Sequence, residues 1–150
     1  MEQLLGSLRQ LEQELGSAPD PDWVVEWKAK LVGLLAKLKG WLKPAIEGKP
    51  PLVEWTDLEV AISETEGEVY KAPGARLIGP KGRFVEIVPK ARHIFNAMGR
   101  VDLVSRRGRA MLARFAPDEW SFVWTSADGR WESAKLTEDS FAEVLSEMLG

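Results

Sequence analysis

The feature that most constrains this chain is a change in the spacing of its apolar residues. The change falls at residues 44–51, Pro-Ala-Ile-Glu-Gly-Lys-Pro-Pro. Before that segment apolar side chains recur every three or four positions. After it they alternate, and the last stretch returns to helical spacing. A period of 3.6 buries one stripe of a helix, whereas a period of two buries one face of a strand. Helix, strand and helix in that order predict an α+β protein.

Two helices are expected over residues 1–43. Met1, Leu4, Leu8, Leu11 and Leu15, broadened by Leu5, form the stripe of the first, which Gly16 stops. Residues 17–22 then read as a turn, with Asp20 capping a second helix and Pro21 at its first position. That helix should run from about Pro21 to Leu42 and end at Pro44. Trp23, Val24, Trp27, Leu31, Leu34, Leu35, Leu38, Trp41 and Leu42 fall within about 120° of its circumference, and Lys28, Lys30, Lys37 and Lys39 flank them. The opposite side carries Ala29, Gly33, Ala36 and Gly40. A helix-interior glycine costs about 0.8–1 kcal/mol relative to alanine, so two in one stripe suit either close approach of another backbone or a smooth solvent face. The short connection predicts an antiparallel helical hairpin.

Residues 44–51 are expected to be a linker, and residues 52–150 a sheet with a closing helix that forms one unit with residues 1–43. An extended region begins with Trp55, Leu58, Val60 and Ile62. Three glycine-closed turns at residues 79–82, 106–108 and 127–129 then separate β-rich runs, which predicts an antiparallel β-meander of about 6–7 short strands. Pro89–Met98 reads as one or two helical turns closed by Gly99. Trp120, Phe122 and Trp124 alternate and share one strand face. Thr137 caps a final amphipathic helix whose Phe141, Val144, Leu145, Met148 and Leu149 should pack on the sheet. In element order alone, about seven short strands followed by a closing helix resemble a pleckstrin-homology-like barrel.

Composition narrows the function. With 150 residues, 45% of them hydrophobic, the chain can build one core, and the lack of cysteine removes disulfides, thiolate metal sites and cysteine nucleophiles. No apolar run approaches the roughly 18 residues of a membrane-spanning helix. Met1-Glu2-Gln3-Leu4 lacks the basic and apolar regions of a signal peptide, so the expected location is the cytoplasm. Nucleotide-binding, hydrolase and metalloprotease motifs are missing, and neither a cofactor nor a metal is expected. Gly79-Pro80-Lys81-Gly82 is read as a hairpin turn.

Charge is unevenly spread. Residues 50–69 are net -6, residues 70–116 net +9 and residues 117–150 net -6. Either opposite charges cancel across the sheet, or the basic stretch is an anion-binding face. Lys81, Arg83, Arg106, Arg107 and Arg109, with Arg100 and Arg114, would form such a rim for nucleic-acid phosphates or acidic lipid. Seven tryptophans give the other lead, because tryptophan fills cores but is also enriched at interface hot spots. The leading expectation is a non-enzymatic protein-interaction module of adaptor, inhibitor or immunity type. Its second helix would make the contact through Trp23, Trp27 and Trp41, or pair with itself as a homodimer along Ala29, Gly33, Ala36 and Gly40. A carboxylate-dependent enzyme using Glu64, Glu66, Glu68, Glu86 or Asp102 with His93 is the third class.

Overall fold

The computed structural model describes residues 21–65, 68–92 and 97–150. Helix α1 spans Asp22–Trp41 and the four-residue helix α2 spans Lys43–Ile46. Seven strands follow: β1 Glu54–Thr65, β2 Glu68–Ile78, β3 Phe84–Ala91, β4 Arg100–Ser105, β5 Gly108–Ala116, β6 Glu119–Thr125 and β7 Trp131–Lys135. Helix α3, Glu138–Leu149, closes the chain. Each strand pairs antiparallel with the next, so the sheet order is the order of the sequence.

The N-terminal arrangement corrects the expected helical hairpin. In its place stand one long helix and the short α2, which occupies part of the supposed linker. Pro44 falls in the first turn of α2, where its missing N–H has no intrahelical partner to lose. The first predicted helix, residues 1–15, lies outside the described residues. Pro21 is the N-cap of α1 rather than its first helical residue.

Other boundaries differ for physical reasons. Two strands are long, β1 with 12 residues and β2 with 11. Within β2, Pro73 and Gly74 look like breakers. They are tolerated because residues 68–74 of β2 pair with β1 alone, and pairing with β3 starts at Ala75↔Ile87. The backbones approach closely there: a Cβ on Gly74 would lie 2.6 Å from the Ile87 carbonyl oxygen. Glu64 falls in β1 and Glu68 in β2. Residues 89–91 continue β3 through a bulge instead of starting a helix. Among the described residues β1 and β7 do not pair, so the sheet is an open one and not the barrel that element order suggested.

The core lies between the sheet and the two long helices. Val24, Trp27, Leu31, Leu34 and Leu38 of α1 are buried, as the helical stripe predicted. Ala75, Leu77, Val85, Ile87, Val101, Leu103 and Leu112 meet them from the sheet. Phe141, Leu145 and Met148 of α3 complete the layer, and Phe141 packs 6.0 Å from the Trp41 ring. Thr137 caps α3 as expected: its hydroxyl accepts from the Ser140 N–H at 3.1 Å, and the Ser140 hydroxyl answers to the Thr137 N–H at 2.8 Å.

Candidate interaction surface

The residues expected to contact a partner divide between core and surface. Trp27 is fully buried; it stacks on Trp120 with centroids 6.0 Å apart, and Gly99 lies against its ring. It therefore serves the core and presents no surface. Trp23 and Trp41 are half-buried. Trp23 meets Tyr70 edge-on at 5.5 Å and carries the Arg92 guanidinium over its ring at 5.2 Å. The tryptophans left open are on the far strands, Trp124 at 43% and Trp131 at 58% exposure. Trp124 donates its indole N–H to Glu132 at 3.0 Å. It also borders a groove of about 520 Å³ between α3 and β5–β7, with Phe122, Ala134, Val144 and Met148.

The small-residue stripe is on the surface. Ala29, Gly33, Ala36 and Gly40 are all exposed, and an added Cβ at Gly33 or Gly40 would meet nothing within 4 Å. The sequence reading missed their neighbours. Val25 is 56% and Val32 57% exposed on the same side. At 100° per residue, Val25, Ala29, Val32, Gly33, Ala36 and Gly40 fall within about 100° of arc, and none carries charge. Thus α1 is apolar on its solvent face as well as on its core face, a pattern that calls for cover on both sides. Lys28 and Lys39 border this arc on one side, and Lys30 and Lys37 on the other.

Three depressions flank the same face. One of about 310 Å³ is bordered by Val32, Leu35, Trp55 and Leu58. Another, about 290 Å³, is bordered by Ala29, Gly33, Lys37 and Trp120. The third, about 340 Å³, lies beside Ala36, Gly40 and Ile46.

Part of the basic stretch is matched inside the fold. Arg100 donates to both oxygens of the fully buried Asp102 at 2.8 and 3.0 Å, and Arg109 approaches the same carboxylate at 3.7 Å. Arg76 pairs with Glu86 at 3.4 Å. Arg83 donates to the carbonyls of Leu149, at 3.3 Å, and Gly150. Arg114 is fully buried, donates to both carboxylate oxygens of Glu26, and gives its Nε–H to the Pro117 carbonyl at 2.9 Å. The Arg114 hydrogen bond holds the Glu26 carboxyl below its ordinary pKa. Lys30, hydrogen-bonded to Asp118 at 2.6 Å, lowers that carboxyl in the same way. Among the described residues, the exposed basic side chains of this stretch for which no ion pair is seen include Lys71 in β2, Lys90 in β3 and, in the turns, Lys81, Arg106 and Arg107. Strand alternation in the meander puts these two turns at one end of the sheet.

Of the candidate carboxylates, Glu86 and Asp102 are the two whose side chains are described. Glu86 and Asp102 each serve an arginine, while His93 and Glu66 lie outside the described residues. Among the described residues no group of three or more His, Asp or Glu is placed to hold a metal ion, and no helix is long and apolar enough to cross a membrane. No family model, curated protein or solved structure matches the chain.

Proposed function

We propose that this protein is a protein-interaction module, not an enzyme, and that its contact surface is the outward face of α1. The observation carrying this reading is the uncharged arc from Val25 to Gly40, with two valines more than half exposed. Leaving such side chains in water forgoes roughly 25 cal/mol per Å² of apolar surface, which a partner would recover. Its smooth centre admits close approach of another backbone, and the depressions on either side admit side chains. Exposed Lys37 and Lys39, one at each border, suit an amphipathic helix of another protein whose apolar seam is flanked by acidic residues. A second copy docked by its own α1 would bring the lysines of both copies together, which disfavours self-pairing on this face.

The test is a photo-activated cross-linking residue at position 32 in cells of the native host, with position 143 on α3 as the control. Adducts to one other protein from position 32 and none from position 143, followed by binding of a synthetic acid-flanked helix from that protein, support the reading. Equal yields from both positions, or cross-links confined to residues 1–20 of the same chain, overturn it.

One observation favours a second reading, an anion-binding end. The turns carrying Lys81, Arg106 and Arg107 lie at one end of the sheet, and among the described residues none of the three has an ion pair. Binding of nucleic acid or acidic vesicles that weakens steeply with salt, and is lost in Arg106→Ala with Arg107→Ala, would support it. No binding at low salt ends it.

A further inference from the structure

We infer that the end of the sheet bearing the β2–β3 and β4–β5 turns seats on an anionic lipid bilayer, with Leu52 inserted and Lys81, Arg106 and Arg107 at the headgroups. The inference rests on the anion-binding reading of those turns and names the surface that they meet. It starts from the loop that enters β1. Leu52 is 62% exposed and stands between exposed Pro51 and half-buried Val53. Its N–H donates to the Ala45 carbonyl at 2.9 Å, which ties the loop to α2. Just beyond it Glu54 pairs with Ile78, and Ile78 with Phe84. The loop therefore lies beside the β2–β3 turn, and Leu52 and Pro80 border one depression of about 610 Å³.

The cations come next along the same end. Lys81 sits in the β2–β3 turn with φ 63°, and Gly82 follows it in the same left-handed region. Arg106 and Arg107 form the β4–β5 turn, where the Arg107 N–H donates to the Ser105 hydroxyl at 3.1 Å. Two strand spacings, about 10 Å, separate the turns. Of the acids at this end, Asp128 pairs with Arg130 at 3.5 Å, and exposed Glu47, Glu54 and Glu147 stand against Lys43, Lys49 and Arg83. The opposite end exposes Asp118, Glu119, Glu138 and Asp139 against Lys90. A bilayer rich in acidic lipid therefore attracts the molecule by the end that carries Leu52. Leu52 also decides between anions. A nucleic-acid phosphate backbone gains little from an exposed aliphatic side chain, whereas the headgroup–acyl boundary of a bilayer buries it.

The chain contains no cysteine, so Leu52→Cys carries one environment-sensitive fluorophore, and Glu119→Cys at the opposite end is the control. The probes are vesicles of phosphatidylcholine with about one-third phosphatidylserine, vesicles of phosphatidylcholine alone, and a single-stranded oligonucleotide. On the acidic vesicles the label at position 52 should brighten and shift to the blue, and the label at position 119 should not. Leu52→Ser should bind these vesicles more weakly by on the order of tenfold, and so should Arg106→Ala with Arg107→Ala. Leu52 lies mostly in water, so its replacement leaves the fold intact, which an unchanged urea midpoint verifies. Salt-sensitive binding of the oligonucleotide without binding of vesicles would leave the anion-binding reading standing and overturn the inference. Vesicle binding that ignores Leu52→Ser, or that is equal on the two vesicle types, overturns it as well. Binding of neither vesicles nor oligonucleotide at low salt ends both.

Discussion

Removing the charge of Glu26 should harm this fold more than removing the charge of Arg114, although the two form one ion pair. Arg114 has no exposed surface, whereas the Glu26 side chain is 42% exposed. With Glu26→Gln the guanidinium remains inside without a counter-charge. Such orphaned charges cost about 3–5 kcal/mol in fully buried pairs; the solvent contact of Glu26 screens this one, so about 2 kcal/mol is expected. With Arg114→Met an apolar chain of similar volume fills the site, and the Glu26 carboxylate can rehydrate. What remains is the unpartnered Pro117 carbonyl, about 1 kcal/mol. The double variant should match Arg114→Met, which gives a coupling of about 1–2 kcal/mol. At this chain length 1 kcal/mol moves Tm by about 2–4 °C, so Glu26→Gln should fall by about 4–8 °C. Acid supplies a second readout. A carboxyl whose pKa is lowered by folding stabilises above its unfolded value, here 4.5, and loses that contribution as pH falls through the lower folded value. Urea curves followed by tryptophan fluorescence should separate wild type from Glu26→Gln at pH 7 and draw together as pH falls below 4.5 and through the lowered folded value. Arg114→Met costing more than Glu26→Gln, or additive single variants, would refute the reasoning.

The remaining predictions concern packing and caps. In Gly99→Ala the new Cβ would stand 2.3 Å from the enclosed Trp27 ring, so unfolding in urea should show a loss of about 1–3 kcal/mol with a changed near-ultraviolet tryptophan spectrum. Gly33→Ala meets open space and should stabilise by about 0.5–1 kcal/mol in the same assay; a destabilisation would mean that something within the chain already occupies that face. Thr137→Ala removes the α3 cap and should cost about 1 kcal/mol, read as a lower midpoint at unchanged m-value.

Much of the fold was legible because local pattern and burial agree. The α1 stripe, the three hairpin turns, the alternation of Trp120 and Phe122 and the Thr137 cap all follow from periodicity and turn chemistry. The failures have tertiary causes. Pro73 and Gly74 read as breakers, yet they lie where β2 has no bond to give β3 and where only a residue without a side chain clears Ile87. Val25 and Val32 were overlooked because the wide stripe through Trp27 and Leu31 had already accounted for the helix as amphipathic. Counting residues toward the core does not test what faces water. Trp27 was misassigned in the opposite sense: nothing local marks it as the tryptophan that meets Trp120 and Gly99.

The basic stretch shows why net charge along a chain is a poor guide to a binding face. Arg100 reaches Asp102 because residues two apart share a strand face, a relation visible in the sequence once the strand is recognised. Arg109 reaches it only because the β4–β5 register sets Asp102 opposite Met111, and Arg76 meets Glu86 only because those residues are paired across β2 and β3. Arg114 finds Glu26 from 88 residues away. Register and helix docking thus pair some of these arginines internally, while Lys71 and Lys90 on strands and Lys81, Arg106 and Arg107 in turns stay exposed. The same logic acts in reverse on α1. There none of the described residues covers an apolar arc that the sequence maintains over four helical turns, and it is this uncovered arc, not the charge pattern, on which the proposed contact rests.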